Sequence, residues 1–369
     1  MREDRDDRNF KSAVPKYIRK SVRALTISSH GGLDALEYRT DLPVPEPGPG
    51  EVRVRVRAAA LNHLDIWMLR GLPGVEIKPP WPLGADAAGV VDKLGPGVPG
   101  THARLGDYVV INPGISCRRC EYCMRGEHSL CVKFGLVGEH FPGTLAEYVI
   151  VPATNVRAIP AGTKPEVAAA FTLATLTAWR MIVSRAQVES GETVLIWGIG
   201  GGVAIAAMQI AKLHGATVWV TSGSDEKLAR ARELGADETF NHSSMDVVRE
   251  VRTRTAKRGV DVVVDDVGPA TWEKSLASLA KSGRLVTCGA TSGPKVETDV
   301  RKLFWNQWTI LGSTMGNDAE FGAIVQELEK GRLIPPVDSV FDLADGRAAF
   351  ERLQTAGQFG KVVVRVSNE

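Results

Sequence analysis

Four of the five cysteines fall close together, Cys117, Cys120, Cys123 and Cys131, spaced C-x2-C-x2-C-x7-C. Loops this short bring four thiolates to one tetrahedral ion, and an all-sulfur set with no histidine and no open position suits a closed, structural zinc site. Reduced thiols and an iron–sulfur cluster are the alternatives, the second tied to electron transfer, for which nothing else in the chain argues. A secreted disulfide framework spreads its cysteines differently. Arg118, Arg119 and Arg125 raise a nucleic-acid-binding zinc knuckle, but the net charge of +2 and the lack of interleaved aromatic residues argue against it.

The second stretch that carries chemistry is Thr193–Lys212, TVLIWGIGGGVAIAAMQIAK. Thr193–Trp197 reads as a buried parallel strand, and the helix that follows an intervening turn is amphipathic. In the turn, Gly198, Gly200, Gly201 and Gly202 let the backbone approach a pyrophosphate at the helix N-terminus, which makes a dinucleotide cradle. Glycine turns also join strands to helices with nothing bound; here strand, turn and helix follow in order. Some twenty residues on, where a site for NAD usually places a carboxylate on the ribose hydroxyls, stands Ser222. Ser222, Ser224 and Lys227 offer two hydroxyls and a cation to a 2′-phosphate, so NADPH is favoured and NADH is the alternative. The plainer reading has Ser224 capping the next helix and Lys227 in solvent.

These motifs need a scaffold. A chain of 369 residues, 44% hydrophobic and 24% charged, is ordinary for a soluble protein of two or three domains. The opening MREDRDDRNFKSAVPKYIRK has no apolar core, so residues 1–21 read as a flexible tail and not as a secretory signal. Val167–Val183, interrupted by Thr172, Thr175, Thr177 and Arg180, reads as one buried helix and not as a membrane span, and the protein as cytoplasmic. The strictly alternating Val52–Ala58 lies in a β-rich region that runs from about Val22 to Pro160. From Ala161 to about Leu311 strands alternate with helices, the pattern of an α/β, doubly wound parallel sheet. By the strand-end rule Val267 and Gly268, and Gly289, Ala290 and Thr291, lie near the nicotinamide half of a cofactor, although both glycines could simply end strands. The final strand, Lys361–Val366, cannot stand alone and completes a sheet of the first region.

Taken together, the motifs resemble the medium-chain dehydrogenase/reductase family over nearly all of the chain beyond the first twenty residues. The four-cysteine lobe is similar to the structural-zinc lobe of zinc alcohol dehydrogenases. ALNHLDIWMLRG resembles the N-x-x-D-x-y-x-R-x-G stretch of quinone oxidoreductases, and GIGGGVA their glycine turn, which adds Val203 to the cofactor residues. The resemblance implies a GroES-like β-rich catalytic domain from residues 22–160 and 313–369, enclosing a Rossmann domain at 161–312. It also implies a homodimer or homotetramer acting on a small molecule, with neither nucleic acid nor membrane as partner.

The departures from the family bear on function. Where zinc alcohol dehydrogenases carry their catalytic ligands, two cysteines and a histidine, this sequence has Asn62, Ala85 and a residue near Leu173; Leu64 replaces the proton-relaying hydroxyl. Hydride addition to an isolated carbonyl benefits from a metal, whereas addition to a conjugated double bond spreads the charge into an enolate that a hydrogen bond can hold. The expectation is therefore NADPH-dependent reduction of an enone, a quinone or an enoyl thioester such as an acyl-CoA. By resemblance Asn62 and Asp65 orient substrate or nicotinamide, and Thr177 contacts the nicotinamide unless it only packs its helix. Trp67 stands where some reductases have a tyrosine proton donor, and indole cannot serve; because the segment of alcohol dehydrogenases that GEHFPG resembles lines their substrate pocket, the resemblance implies His140 as the acid and Phe141 as a wall, unless His140 is an ordinary loop histidine. His63, Trp67 and Asp86 are expected on the wall of the substrate pocket; the rival expectation is an alcohol dehydrogenase in which His63, Asp86 and His140, with Glu139 as an addition, hold an unusual metal. A non-enzymatic dinucleotide-binding or nucleic-acid-binding protein is the third.

Overall fold

The computed structural model describes residues 21–100 and 102–367; most of the tail expected at 1–21 lies outside them. Six strands form one parallel sheet in the order Glu238–Asn241, Thr217–Ser222, Thr193–Ile196, Val260–Val264, Leu279–Thr287, Thr309–Gly312. Its central strands TVLI and VDVVV are almost wholly apolar because helices cover both faces. The order reverses between Thr193–Ile196 and Val260–Val264, and at such a switch point a crevice opens at the carboxyl ends of the strands. None of the described helices is long and apolar enough to cross a membrane.

The second large sheet has seven strands and is mostly antiparallel. In Glu51–Ala60 the alternation VRVRVR puts Val52, Val54 and Val56 in the core and leaves Arg53, Arg55 and Arg57 partly exposed. On one side this strand pairs with Asp86–Leu94, and on the other with the last strand of the chain, Lys361–Arg365, in the register Val363 to Ala60 and Val364 to Ala59. A chain end more than 300 residues away in sequence is thereby placed beside the segment that leads into Asn62.

The expected single helix over Val167–Val183 is instead three pieces: Pro165–Ala169, Thr172–Trp179 and a wider-wound π turn at Arg180–Arg185. The reason lies at the break. The Thr172 hydroxyl and the Leu173 N–H both donate to the buried Asp86 carboxylate, at 2.5 and 2.6 Å, so a new helix starts on an anion. Sequence periodicity cannot register a cap supplied from 86 residues away.

At the far end of the same segment Arg180, 5% exposed, donates to Glu127 of the cysteine lobe at 2.5 Å and to buried Glu320 at 3.2 Å. Arg118 and Asp318 make a second bridge between the lobe and the helix Asp318–Glu329. Removing one partner of a buried ion pair strands the other charge. Arg180→Met is therefore expected to cost about 3 kcal/mol of unfolding free energy, measured by urea titration of the metal-loaded protein.

Candidate active site and cysteine lobe

A cavity of about 650 Å³ lies at the carboxyl ends of the parallel strands and is walled on its other side by the β-rich region. Its floor is the glycine turn: Gly198, Ile199, Gly200, Gly201, Gly202 and Val203 all line it. Gly200 has φ +129°, a conformation closed to other side chains without strain. The helix Gly202–Leu213 starts at Gly201 with no side-chain cap, which leaves its first N–H groups open to an anion.

At one end stand Ser222, Lys227, Ala356 and Gln358. Lys227 donates to the Ala356 carbonyl at 2.6 Å; burial, with a contribution from Arg352, lowers its pKa. Ser224 does not line the cavity. It caps the helix Asp225–Glu233, accepting the Lys227 N–H, so the plainer reading of that serine describes its position. At the other end are Thr177, Asp266, Val267, Cys288, Gly289, Thr291 and Met315. The Thr177 hydroxyl donates to the Leu173 carbonyl at 2.8 Å. Ala290 is set back between Gly289 and Thr291 and is not part of the wall.

The third wall carries Asn62, His63, Leu64, Trp67, Leu136, Glu139 and Leu173. Asn62 precedes the helix His63–Arg70, whose third residue is Asp65. The Asp65 carboxylate accepts the N–H groups of Asn62 at 2.7 Å and Gly84 at 3.0 Å, and burial lifts its pKa to about 7. This is a capping arrangement, and Asp65 lies behind the cavity wall, so an orienting role toward substrate is corrected to positioning of Asn62. Asp86 is corrected likewise: fully buried and outside the wall, it accepts from Lys361 at 2.9 Å, from Asn62 at 3.0 Å, and from Thr172 and Leu173. Lys361 also donates to the Asn62 side-chain oxygen. Burial, followed by the Lys361 and Arg70 cations, keeps the His63 pKa low.

Neither His140 nor Phe141 lines the cavity. The His140 Nδ1 accepts the Leu136 N–H at 3.3 Å and its side chain is 45% exposed, while the Phe141 ring packs over the bare Cα of Gly135. The neighbouring Glu139 does reach the wall, and burial raises its pKa although His140 opposes this. Sequence reasoning missed Lys361, Asp266 and Met315 on the wall, and gave Glu139 only a place in a metal set. A lone lysine opening the strand KVVVR was the available signal for the first, since a buried cation requires an acidic partner.

In the lobe, one sulfur atom from each of Cys117, Cys120, Cys123 and Cys131 lies within 4.8 Å of the others, and the N–H groups of Cys117 and Lys133 point at the Cys131 sulfur at 3.1 and 3.3 Å. Four sulfurs about one zinc ion at about 2.3 Å need that kind of spacing. Among the described residues no other group of three or more histidine, cysteine or acidic side chains gathers this closely, and His63, Asp86 and His140 do not.

A glycine-turn cradle and a substrate wall facing one cavity define an NAD(P)-dependent oxidoreductase. The chain belongs to the medium-chain dehydrogenase/reductase family. Residues 48–161 match the family model for the alcohol dehydrogenase GroES-like domain, and residues 202–330 the one for zinc-binding dehydrogenases. An NAD-dependent alcohol dehydrogenase of Sulfurisphaera tokodaii is 31% identical over 336 residues, 88% of this chain and 95% of its own. A solved structure of an NAD-dependent alcohol dehydrogenase is 46% identical, with a TM-score of 0.90 over 94% of this chain and all of the other. The 2-octenoyl-CoA carboxylase reductase CinF, solved in complex with NADP and 2-octenoyl-CoA, is 29% identical, with a TM-score of 0.85 over 94% of this chain and 88% of its own.

Two measurements follow from this geometry. Elemental analysis of purified protein is expected to find one zinc per chain, and Cys123→Ser to remove it and lower the melting temperature. Gly200→Val, strained at its φ and crowded against Lys227, is expected to weaken dinucleotide binding about tenfold or more, measured by titration calorimetry.

Proposed function

We propose that this protein reduces the conjugated carbon–carbon double bond of an α,β-unsaturated carbonyl compound, with NADPH as the donor. The observation that carries the reading is the Lys361–Asp86–Asn62 cluster. Asp86, the acidic member of the rival metal set, is committed to a buried ammonium, to Asn62 and to the start of a helix. Asn62, Ala85 and a residue near Leu173 stand where zinc alcohol dehydrogenases carry two cysteines and a histidine. A fixed cation beside them also repels a second one.

When bound, the cofactor supplies a hydride to the β-carbon. The Asn62 amide nitrogen donates to Asp86 at 3.0 Å and reaches the Ala60 carbonyl only at 3.5 Å, which leaves one N–H for the substrate oxygen as it gains enolate charge. Glu139, which lines the cavity where burial raises its pKa, replaces His140 as the group that passes a proton to the α-carbon. Trp67, Leu64, Leu72 and Leu136 supply an apolar channel that suits an acyl chain or a ring and excludes water. The relative solved with 2-octenoyl-CoA supports the enoyl thioester within this class. The four-cysteine lobe is read as a structural zinc site.

The names of several relatives favour a second reading, alcohol oxidation. Zinc content together with NADPH oxidation on crotonyl-CoA and a simple quinone separates the two. One zinc per chain with turnover of either substrate is the expected result, with Asn62→Ala lowering kcat about a hundredfold. Two zincs per chain, alcohol oxidation and no double-bond reduction would overturn it.

Cofactor choice is tested separately. Ser222→Asp puts a carboxylate where a 2′-phosphate would sit and is expected to move the NADPH-to-NADH preference toward NADH by at least about tenfold in kcat/KM. An unchanged ratio would contradict the placing of that phosphate at Ser222 and Lys227.

A further inference from the structure

The strand Val260–Val264 runs into two adjacent aspartates that the fold treats in opposite ways. Asp265 is fully buried and saturated: its carboxylate accepts the N–H groups of Val267 at 2.9 Å and Gly268 at 3.1 Å and the hydroxyls of Thr271 at 2.8 Å and Ser275 at 2.6 Å. Asp266 is half-buried and lines the cavity, and among the described residues no other residue donates to its carboxylate. Its backbone is fixed all the same, since its carbonyl accepts the Thr291 N–H at 3.2 Å and the Thr291 hydroxyl at 3.4 Å. Gly289 leaves room beside it, because a Cβ there would come within 3.2 Å of that carbonyl and 3.4 Å of the Asp266 Cβ.

An acidic group held rigidly at a cavity wall with no protein donor is built for a donor that arrives with a ligand. The electrostatic neighbours of Asp266 are Asp265 and Cys288, so no cation among the described residues neutralises it. Enclosure, with Asp265 adding to it, lifts its pKa to about 6, which leaves it an acceptor at neutral pH. Its place in the sheet identifies the ligand half: it follows the strand on the far side of the switch point from Ser222 and Lys227, where the nicotinamide half of a dinucleotide crosses the strand ends.

We propose that Asp266 receives the ribose hydroxyls on the nicotinamide side of the cofactor. The cavity then discriminates along its length, with hydroxyls and a lysine for a phosphorylated ribose at one end and a bare carboxylate for a free diol at the other. This rests on NADPH as the cofactor, as proposed above, and not on the identity of the oxidisable or reducible substrate.

The test uses three ligands and no turnover. NADPH and 2′-phospho-ADP-ribose both carry the second ribose; 2′,5′-ADP lacks it. Titration calorimetry on Asp266→Ala is expected to show at least a tenfold loss of affinity for the first two and less than a twofold change for the third. Asp266→Asn, which keeps one acceptor, is expected to fall between Ala and the native protein. Intact 2′,5′-ADP binding shows that the adenosine half is still built, so misfolding cannot imitate the result. Loss confined to NADPH would place Asp266 against the ring and overturn the assignment, as would equal loss for all three ligands or no loss for any. Absence of double-bond reduction would leave these affinities untouched.

Discussion

A buried ammonium cannot be left without an acid, and most of the site follows from how Lys361 meets that requirement. Its partner Asp86 comes from the strand Asp86–Leu94, and the same carboxylate starts the helix Thr172–Trp179 and takes the Asn62 amide. Four segments distant in sequence thus share one pair of opposite charges. The stem of Lys361 also runs beside the glycine turn, where a Cβ on Gly202 would come within 2.9 Å of its Cδ. The glycine floor and the facing wall of the cavity are therefore tied by one side chain, and Asn62 has its orientation dictated from both ends of its amide. A carboxamide held in this way costs little to reorganise when charge develops near it.

The ends of the cavity were chosen by local chemistry and the middle by long-range pairing, and this divides what was legible in the sequence from what was not. The glycine turn, Ser222, Lys227, Val267 and Gly289 could be placed because a strand-turn-helix unit carries its own geometry in consecutive residues. The cysteine lobe was legible for the same reason. Asp65 and Asp86 were singled out by resemblance and by their residue types, but their partners could not be, since the Gly84 N–H, Lys361 and Thr172 reach them through tertiary structure. Both proved to hold other residues in place behind the wall.

The misplacement of His140 teaches a narrower lesson. Resemblance pointed to this loop, and Leu136 and Glu139 face the cavity while His140 does not, because a loop turns within a residue or two. Leu136 receives the backbone N–H groups of Glu139, His140 and Phe141 on its carbonyl and gives its own to the His140 ring, which ties the histidine back along the loop surface. Nothing in GEHFPG taken as a string of residue types separates Glu139 from His140.

The last strand of the β-rich sheet sets an order on biosynthesis. The parallel sheet is complete once Gly312 has left the ribosome, and its neighbours in space are mostly neighbours in sequence. The other sheet cannot close until Lys361–Arg365 arrives to lie against Glu51–Ala60, so during translation that strand has an open flank and an apolar face awaiting its partner. Asp86 spends the same interval without its cation. The half of the molecule made first is thus finished last, and for that time it is the half with an unpaired strand edge.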